Sequence, residues 1–340
     1  MQLASRLNRR DVQQTAKCCF KVLQPTSSIN IATKDNSING EFVRSPTSFH
    51  NVIAKDSEFP PEKDRYHLYV SYACPWATRA LITRQLKGLT DVISLSVVHW
   101  HMDENGWRFA EPDEDPDCIP DTVNGFKRLR ELYLQQNPDY SGRVTVPVLY
   151  DKKTKKIVNN ESSEVIRILY TAFDDLIEPK YKSLNFYPEN LQAQIDEHND
   201  WIYNDINNGV YKSGFATTQE AYEKAVTTLF KSMDRVESIL AESDGPYFLG
   251  KDLTEIDIRL FPTLIRFDCC YVQHFKCNIG TIRHNYPHIN KYMKNLYWNV
   301  PGFKEVTNFR HIKFHYTKSH KQINPLGITP VGPIPDIEPL

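Results

Sequence analysis

One stretch, residues 66–77, constrains the fold of this chain more than any other part of the sequence. Apolar residues alternate along its first half, at Tyr66, Leu68 and Val70, and this spacing predicts a half-buried β-strand. The strand pattern stops at Cys74-Pro75, where a helical pattern begins at once. Proline suits the first turn of a helix, because its missing N–H would have had no partner there. The sequence therefore places a cysteine at a helix N-terminus that directly follows a strand.

This placement predicts a reactive thiol. Unpaired backbone N–H groups and the positive end of the helix dipole favour an anion, so we expect the pKa of the Cys74 thiol to be lowered. The alternative is a buried, inert cysteine, which describes most cysteines. Ala77 stands three residues later, where a second cysteine would be needed to close an internal disulfide. An intermediate on Cys74 would then be a mixed disulfide that an external thiol resolves.

Composition excludes several classes of protein. With 340 residues the chain is long enough for two domains. Lys+Arg (41) and Asp+Glu (42) balance, and no apolar run approaches the length of a bilayer span, so neither a nucleic-acid nor a membrane partner is predicted. Seven cysteines without a pairing rhythm are typical of a reducing compartment. His99 and His101 lack a nearby third ligand, so no metal site is predicted.

The pattern from 65 to 178 is that of a small α/β domain. Strands are expected at 65–71 and 92–98, with a helix at 75–87 between them and another at 126–137. The strand around Val146-Pro147 must hold its proline at an end, an edge or a bulge, and a cis peptide is plausible there. A short strand and a helix preceded by the cap candidates 160–163 complete the pattern. This order of elements, with Cys-Pro after the first strand and Val-Pro before the third, is typical of a thioredoxin-like domain.

The rest of the chain shows no further strand pattern, so the second domain is predicted to be all-α. Its clearest signal is a helix start at Thr254 and Asp257, which form a capping box. The expected organisation is a basic extension or transit peptide (1–35), an irregular lead-in (36–64), the thioredoxin-like domain (65–178), a linker (179–190), the all-α domain (191–320) and a proline-rich tail (321–340). The extension leaves two locations open, the cytoplasm or the mitochondrion.

Glutathione fits the role of the external thiol, because it is abundant, small and anionic at both ends. The polar residues Asn160-Glu161-Ser162 at a helix start offer an acceptor for its γ-glutamyl amine and donors for its carboxylate. Several long motifs agree with this and resemble the glutathionyl-hydroquinone reductases, the xi-class glutathione transferases related to the fungal omega-like ones. The resemblance covers about residues 38–335 and is carried by these motifs: 62–77, 86–89, 104–107, 146–149, 208–216, 254–260, 266–268, 311–316 and 319–325.

The resemblance implies a glutathione transferase fold, a homodimer, and glutathione as co-substrate with no bound cofactor. It implies reduction of glutathionyl-hydroquinones: Cys74 attacks the glutathione sulfur, and a second glutathione releases glutathione disulfide. Tyr211 would be the proton donor to the departing ring, since expelling carbon from sulfur needs general acid help. The hydroxyls of Tyr271 and Tyr316 would point at Cys74 and hold it as a thiolate. The implied glutathione-binding residues are Trp107, Arg143, Val144, Thr145, Val146, Glu161 and Ser162.

One position departs from the pattern of this class, which usually has histidine where this chain has Thr78. Tuning of the thiol or substrate preference could differ there. Two other functions stay open at this stage. An omega-like thioltransferase or dehydroascorbate reductase would use Cys74 without needing Tyr211. A non-catalytic transferase-fold binding module is the third candidate, and intact Cys74, Glu161 and Ser162 argue against it.

Overall fold

The structure is a computed structural model that describes residues 37–340. The predicted basic extension and the Cys18-Cys19 pair lie outside these residues. The strands are β1 (Ser37–Ile38), β2 (Glu41–Phe42), β3 (Tyr66–Val70), β4 (Ser94–Val97), β5 (Val148–Asp151) and β6 (Lys156–Asn159). The helices are α1 (Pro75–Leu86), α2 (Leu129–Gln136), α3 (Ser162–Thr171), α4 (Pro179–Lys182), α5 (Gln192–Trp201), α6 (Gly209–Gly214), α7 (Gln219–Glu242), α8 (Glu255–Arg266), α9 (Val272–His274), α10 (Ile282–Asn285), α11 (Pro287–Asn299) and α12 (Phe309–Ser319).

The first domain is built on one four-stranded sheet with the order β4-β3-β5-β6. The central strand β3 pairs in parallel with β4 and antiparallel with β5, which in turn pairs antiparallel with β6. The strand predicted from the alternation at 66–70 is present, but the expectation that it is half-buried is wrong: every residue of β3 is buried, because the sheet is covered on both faces. Strand β5 begins one residue after Pro147, whose peptide bond with Val146 is cis. The proline thus stands outside the hydrogen-bonded ladder, and the predicted thioredoxin-like domain is confirmed.

The second domain is helical, as predicted, and among residues 160–340 no strand is assigned. Two π-helical segments, Ile202–Asn207 and Phe267–Tyr271, follow α5 and α8. The chain from 192 to 207 is therefore helical throughout, with wider turns in its second half. Helix α8 starts with the predicted capping box between Thr254 and Asp257.

The lead-in is more ordered than the sequence analysis expected. Strands β1 and β2 form a hairpin whose turn residues Asn39 and Gly40 both have positive φ, at 54° and 83°. Asn-Gly is the preferred sequence for such a two-residue turn. The Gly40 carbonyl accepts from the Thr217 backbone N–H (3.1 Å), which ties the hairpin to the helical domain. Farther on, Asn51 donates its backbone N–H to the Val158 carbonyl in β6 (3.0 Å). The lead-in therefore crosses from one domain to the other.

The predicted linker contains helix α4 and a 3-10 turn, and its Phe186 carbonyl accepts from the Glu255 N–H (2.8 Å). The proline-rich tail has no helix or strand and runs along the last helices, where Ile337 is buried and the Trp298 indole donates to the Glu338 carbonyl (3.0 Å). Within the described part of the chain, no helix is both long and apolar enough to cross a membrane.

Candidate active site

Cys74 is the N-cap of α1 and has extended backbone angles (φ −79°, ψ 119°). Pro75 follows it at the first helical position. Its thiol donates to the Val146 carbonyl at 3.5 Å, so the turn after β3 and the cis-proline loop meet at the sulfur. Cys74 is partly exposed, whereas the other cysteines that the structure describes, Cys118, Cys269, Cys270 and Cys277, are buried. Burial raises the pKa of Cys269 to about 12, as expected for inert core thiols.

The expectation of a lowered pKa at Cys74 is wrong. Burial raises the pKa of the Cys74 thiol, and this outweighs the groups that favour the thiolate. Those groups are the backbone N–H groups of Ala77 and Trp76, then the guanidinium groups of Arg266 and Arg44. The helix N-terminus thus acts as predicted, but desolvation by the surrounding domains was not visible in the local sequence.

A cavity of about 340 Å³ lies beside this turn. The predicted glutathione-binding residues Arg143, Thr145, Val146, Glu161 and Ser162 line it, while Val144 and Trp107 do not. Pro147 of the Val146-Pro147 step and Asn160 of the polar helix start, both identified from the sequence, line it too. The other seven lining residues were not predicted, and they are Arg44, Ser45, Pro46, Thr47, His50, Trp76 and Tyr203. Five of these seven come from the lead-in, a segment whose sequence carries no motif that would have placed it at the cavity.

The N-terminus of α3 forms one wall of the cavity. Glu161 is its N-cap, and the carboxylate accepts from the Ser163 N–H at 3.2 Å and from the Thr47 hydroxyl at 3.3 Å. Asn160 holds the lead-in in place, because its side-chain oxygen accepts from the Phe49 N–H and its own N–H donates to the Phe49 carbonyl, each at 3.1 Å. A carboxylate and free N–H groups at one helix start suit a ligand that carries both an ammonium and a carboxylate.

Two guanidinium groups, those of Arg44 and Arg143, also line the cavity. Among residues 37–340 neither forms an ion pair with a carboxylate, and Nη2 of Arg44 is buried without a hydrogen-bond partner. Arg44 lies over the rings of Trp76 (4.6 Å) and Tyr211 (5.0 Å) and donates from Nε to Asn208 Oδ1 (2.7 Å). This uncompensated positive charge suits an anionic ligand.

The three predicted tyrosines meet in one chain of hydroxyls. The hydroxyl of Tyr316 lies 2.6 Å from that of Tyr211 and 2.9 Å from that of Tyr271. Burial, together with the nearby Cys74, raises the pKa of Tyr211 to about 12, so this phenol is protonated at neutral pH. The hydroxyls of Tyr271 and Tyr316 hydrogen-bond within this tyrosine cluster and not to the Cys74 thiol, so their role in holding the thiolate stays a prediction.

Trp107 does not line this cavity, and its contact with glutathione stays a prediction. Its ring is buried and stacks on His315 of α12, with centroids 4.9 Å apart and 23° between the planes. Its backbone carbonyl accepts from the Leu129 N–H at 3.1 Å. Trp107 therefore packs between the domains in this structure, and Trp76 and Tyr203 are the aromatic residues at the cavity.

Another buried cluster lies away from the cavity. Donor atoms of Asp115, Cys118 and His311 come within 4.8 Å of one another, a grouping that the sequence analysis did not foresee. Arg310 forms ion pairs with both Asp115 and Asp117, so the Asp115 carboxylate already has a counter-ion. The cluster fastens the loop after β4 to α12.

Comparison with known proteins agrees with this geometry. The model of the glutathione S-transferase N-terminal domain matches residues 73–172, and that of the C-terminal domain matches residues 219–295. Glutathione S-transferase omega-like 2 of Schizosaccharomyces pombe is 57% identical over 305 residues, which cover 89% of this chain and 96% of the relative. This chain belongs to the glutathione S-transferase family.

Within the family the similarity is to the xi class. The crystal structure of glutathione S-transferase Xi from Phanerochaete chrysosporium gives a TM-score of 0.87 at 56% identity, covering 89% of this chain and 96% of the other. YqjG of Escherichia coli, named a glutathionyl-hydroquinone reductase, is 50% identical over an alignment that covers 89% of this chain and 92% of YqjG. Its glutathione-bound structure gives a TM-score of 0.81, covering 86% of this chain and 95% of that one. The predicted family and fold are confirmed.

Proposed function

We propose that this protein reduces glutathionyl-hydroquinones to hydroquinones at the expense of glutathione. The observation that carries the proposal is the position of Cys74, whose thiol donates to the carbonyl of the cavity-lining Val146 and interacts electrostatically with Tyr211 of the helical domain. The names and the bound glutathione of the similar proteins support the same reaction.

Glutathione binds in the cavity, with its γ-glutamyl end at Glu161 and Ser162 and its backbone along 143–146. Cys74 attacks the sulfur of the glutathionyl-hydroquinone, forming a disulfide and breaking the sulfur–carbon bond. The electron pair of that bond leaves with the ring carbon, which takes a proton from Tyr211. A second glutathione then attacks the disulfide and leaves as glutathione disulfide, which returns Cys74 to the thiol. Two sulfurs are oxidised and one carbon is reduced, so the electrons balance.

The test is glutathione-driven release of hydroquinone from a glutathionyl-hydroquinone, measured by chromatography. We expect Cys74→Ser to lose turnover, because it removes the nucleophile. Unchanged turnover in Cys74→Ser would overturn the proposal. Tyr211→Phe should lower turnover by about 100-fold or more, the usual contribution of a positioned general acid. Normal hydroquinone release by Tyr211→Phe would contradict only the proton-donor role, and faster turnover of dehydroascorbate than of glutathionyl-hydroquinones would favour the thioltransferase alternative.

The proposal extends to assembly and location. The resemblance to the xi class supports a homodimer, which light scattering of the purified protein would test. The cysteine pattern supports a reducing compartment, the cytoplasm or the mitochondrion. Sequencing the N-terminus of the mature protein from cells distinguishes the two, since a chain that starts at Met1 has not lost a transit peptide.

A further inference from the structure

Arg266, the last residue of α8, is fully buried and lies directly behind the turn that carries Cys74. Its Nε donates to the Ala73 carbonyl at 3.1 Å and its Nη2 to the Tyr72 carbonyl at 3.0 Å. Nη2 also donates to the Thr78 hydroxyl at 2.9 Å, and Nη1 donates to the Pro262 carbonyl at 2.8 Å. The guanidinium fork thus holds both carbonyls that precede the nucleophile and the first turn of the helix that follows it.

All four acceptors are neutral. Within the described part of the chain Arg266 has no carboxylate partner, although a buried charge is normally paired. A positive charge kept uncompensated in the interior is expected where a negative charge forms during function. Cys74 is a partly exposed group in its surroundings that can acquire one, and the guanidinium opposes the rise in the pKa of its thiol.

Other charged and titratable groups face Cys74 from different elements, but they have other partners. Arg44 of the lead-in and Arg143 of the loop before β5 line the cavity and are available to the carboxylates of a ligand. Tyr211 of α6 bonds to Tyr316. Arg266 does not line the cavity, so its hydrogen bonds to the turn that carries Cys74 do not compete with a ligand in the cavity.

We propose that Arg266 is a positioning residue for the nucleophile: it fixes the turn that carries the thiol and supplies the counter-charge for the thiolate. Thr78 belongs to the same arrangement, since its hydroxyl accepts from Arg266 and donates to the Cys74 carbonyl at 3.0 Å. The threonine at this position, where the resembling class usually has histidine, thus links the guanidinium to the backbone of the nucleophile. This inference rests on the proposed role of Cys74.

The experiment measures the pH dependence of Cys74 alkylation by iodoacetamide, followed by mass spectrometry of the peptide that contains it. Arg266→Gln keeps donors for the carbonyls but removes the charge, so we expect the alkylation midpoint to rise by about one pH unit, a tenfold loss of thiolate at neutral pH. Arg266→Lys keeps the charge without the fork, so its midpoint should stay near that of the wild type while kcat falls. The KM for glutathione should change little in either variant.

Arg84→Gln is the matched control. Arg84 is buried like Arg266 and also donates to two backbone carbonyls, those of Ile93 (2.8 Å) and Thr90 (2.9 Å). It lies in α1, the helix that Cys74 caps, but at the end of that helix far from Cys74. The alkylation midpoint of Arg84→Gln should equal that of the wild type.

An unshifted midpoint in folded Arg266→Gln, judged by circular dichroism, would overturn the inference. If that variant does not fold, Arg266→Lys decides: an unchanged midpoint supports the counter-charge, and a raised midpoint contradicts it. Alkylation requires no hydroquinone substrate, so failure of the proposed reaction would be visible separately.

Discussion

At the scale of single residues, the chemistry of this site depends on how charge is distributed around Cys74. Burial disfavours the thiolate, and two arginines from distant parts of the chain, Arg44 and Arg266, oppose that effect. Arg44 differs from Arg266 because it lines the cavity and has a buried, unpartnered Nη2. A buried donor without an acceptor is costly, so Arg44 is poised to bind an anionic or oxygen-bearing group of the ligand.

We therefore expect Arg44→Met to lower kcat/KM by about 10- to 100-fold, the range for loss of one charge-assisted hydrogen bond. Steady-state kinetics with glutathionyl-hydroquinone checks this. Arg235→Met is the control, since Arg235 also stacks on a tryptophan, Trp201 at 4.2 Å, but is not among the cavity-lining residues. Equal kcat/KM in the two variants would contradict a role for Arg44 in ligand binding.

At the scale of elements, helix α8 connects the stability of the helical domain to the site, because its last residue holds the Cys74 turn. Its first turn is fixed by Asp257, which is fully buried. The carboxylate accepts from the N–H groups of Thr254 (2.7 Å) and Phe248 (2.9 Å) and from the Tyr292 hydroxyl (2.7 Å). The capping box is thus also the junction of three segments of the helical domain.

Asp257→Ala should lower the free energy of unfolding by on the order of 3 kcal/mol, because it leaves several buried donors unpaired. Urea denaturation followed by circular dichroism measures the change. Asp252→Ala removes an exposed carboxylate from the preceding loop and should leave the midpoint unchanged. A loss below about 1 kcal/mol in Asp257→Ala would mean that water or neighbouring groups satisfy these donors.

At the scale of the whole molecule, burial within and between the two domains keeps several histidines neutral. Burial lowers the pKa of His67 to about 3, and those of His274 and His315 to about 4. His67 lies in the sheet, where its ring nitrogens are 2.7 Å from Ser94 Oγ and 2.8 Å from Ser96 Oγ. His274 and His315 belong to the helical domain, and His315 stacks on Trp107 across the interface.

These shifts predict loss of stability in mild acid. Below the unfolded pKa of about 6.5 the unfolded chain binds protons that the folded chain does not, so the free energy of unfolding falls as pH falls from about 6.5 towards 4. Each such histidine contributes up to about 1.4 kcal/mol per pH unit within that range. Urea midpoints measured from pH 6.5 to pH 4 should change less steeply with pH in His67→Asn than in the wild type. The exposed His288→Asn should keep the wild-type slope, and an unchanged slope in His67→Asn would contradict the prediction.

The sequence by itself determined what depends on neighbours along the chain. Five local signals depend on residues only a few positions apart, and the structure contains the feature that each one predicts. They are the alternation at 66–70, the Cys74-Pro75 helix start, the Val146-Pro147 step, the polar start of α3 and the capping box of α8. The resemblance added the family and a set of site residues, of which Arg143, Thr145, Val146, Glu161 and Ser162 line the cavity.

Tertiary structure decided what depends on groups distant in sequence. Tyr211 and Tyr316, 105 residues apart, share a hydrogen bond, and Arg266 reaches the Ala73 carbonyl across 193 residues. The lead-in supplies Arg44 to the cavity, and no local sequence pattern predicts this position. The direction of the Cys74 pKa shift was also decided here, because the desolvation that raises it comes from the packing of both domains, whereas the sequence revealed only the helix N-terminus that lowers it.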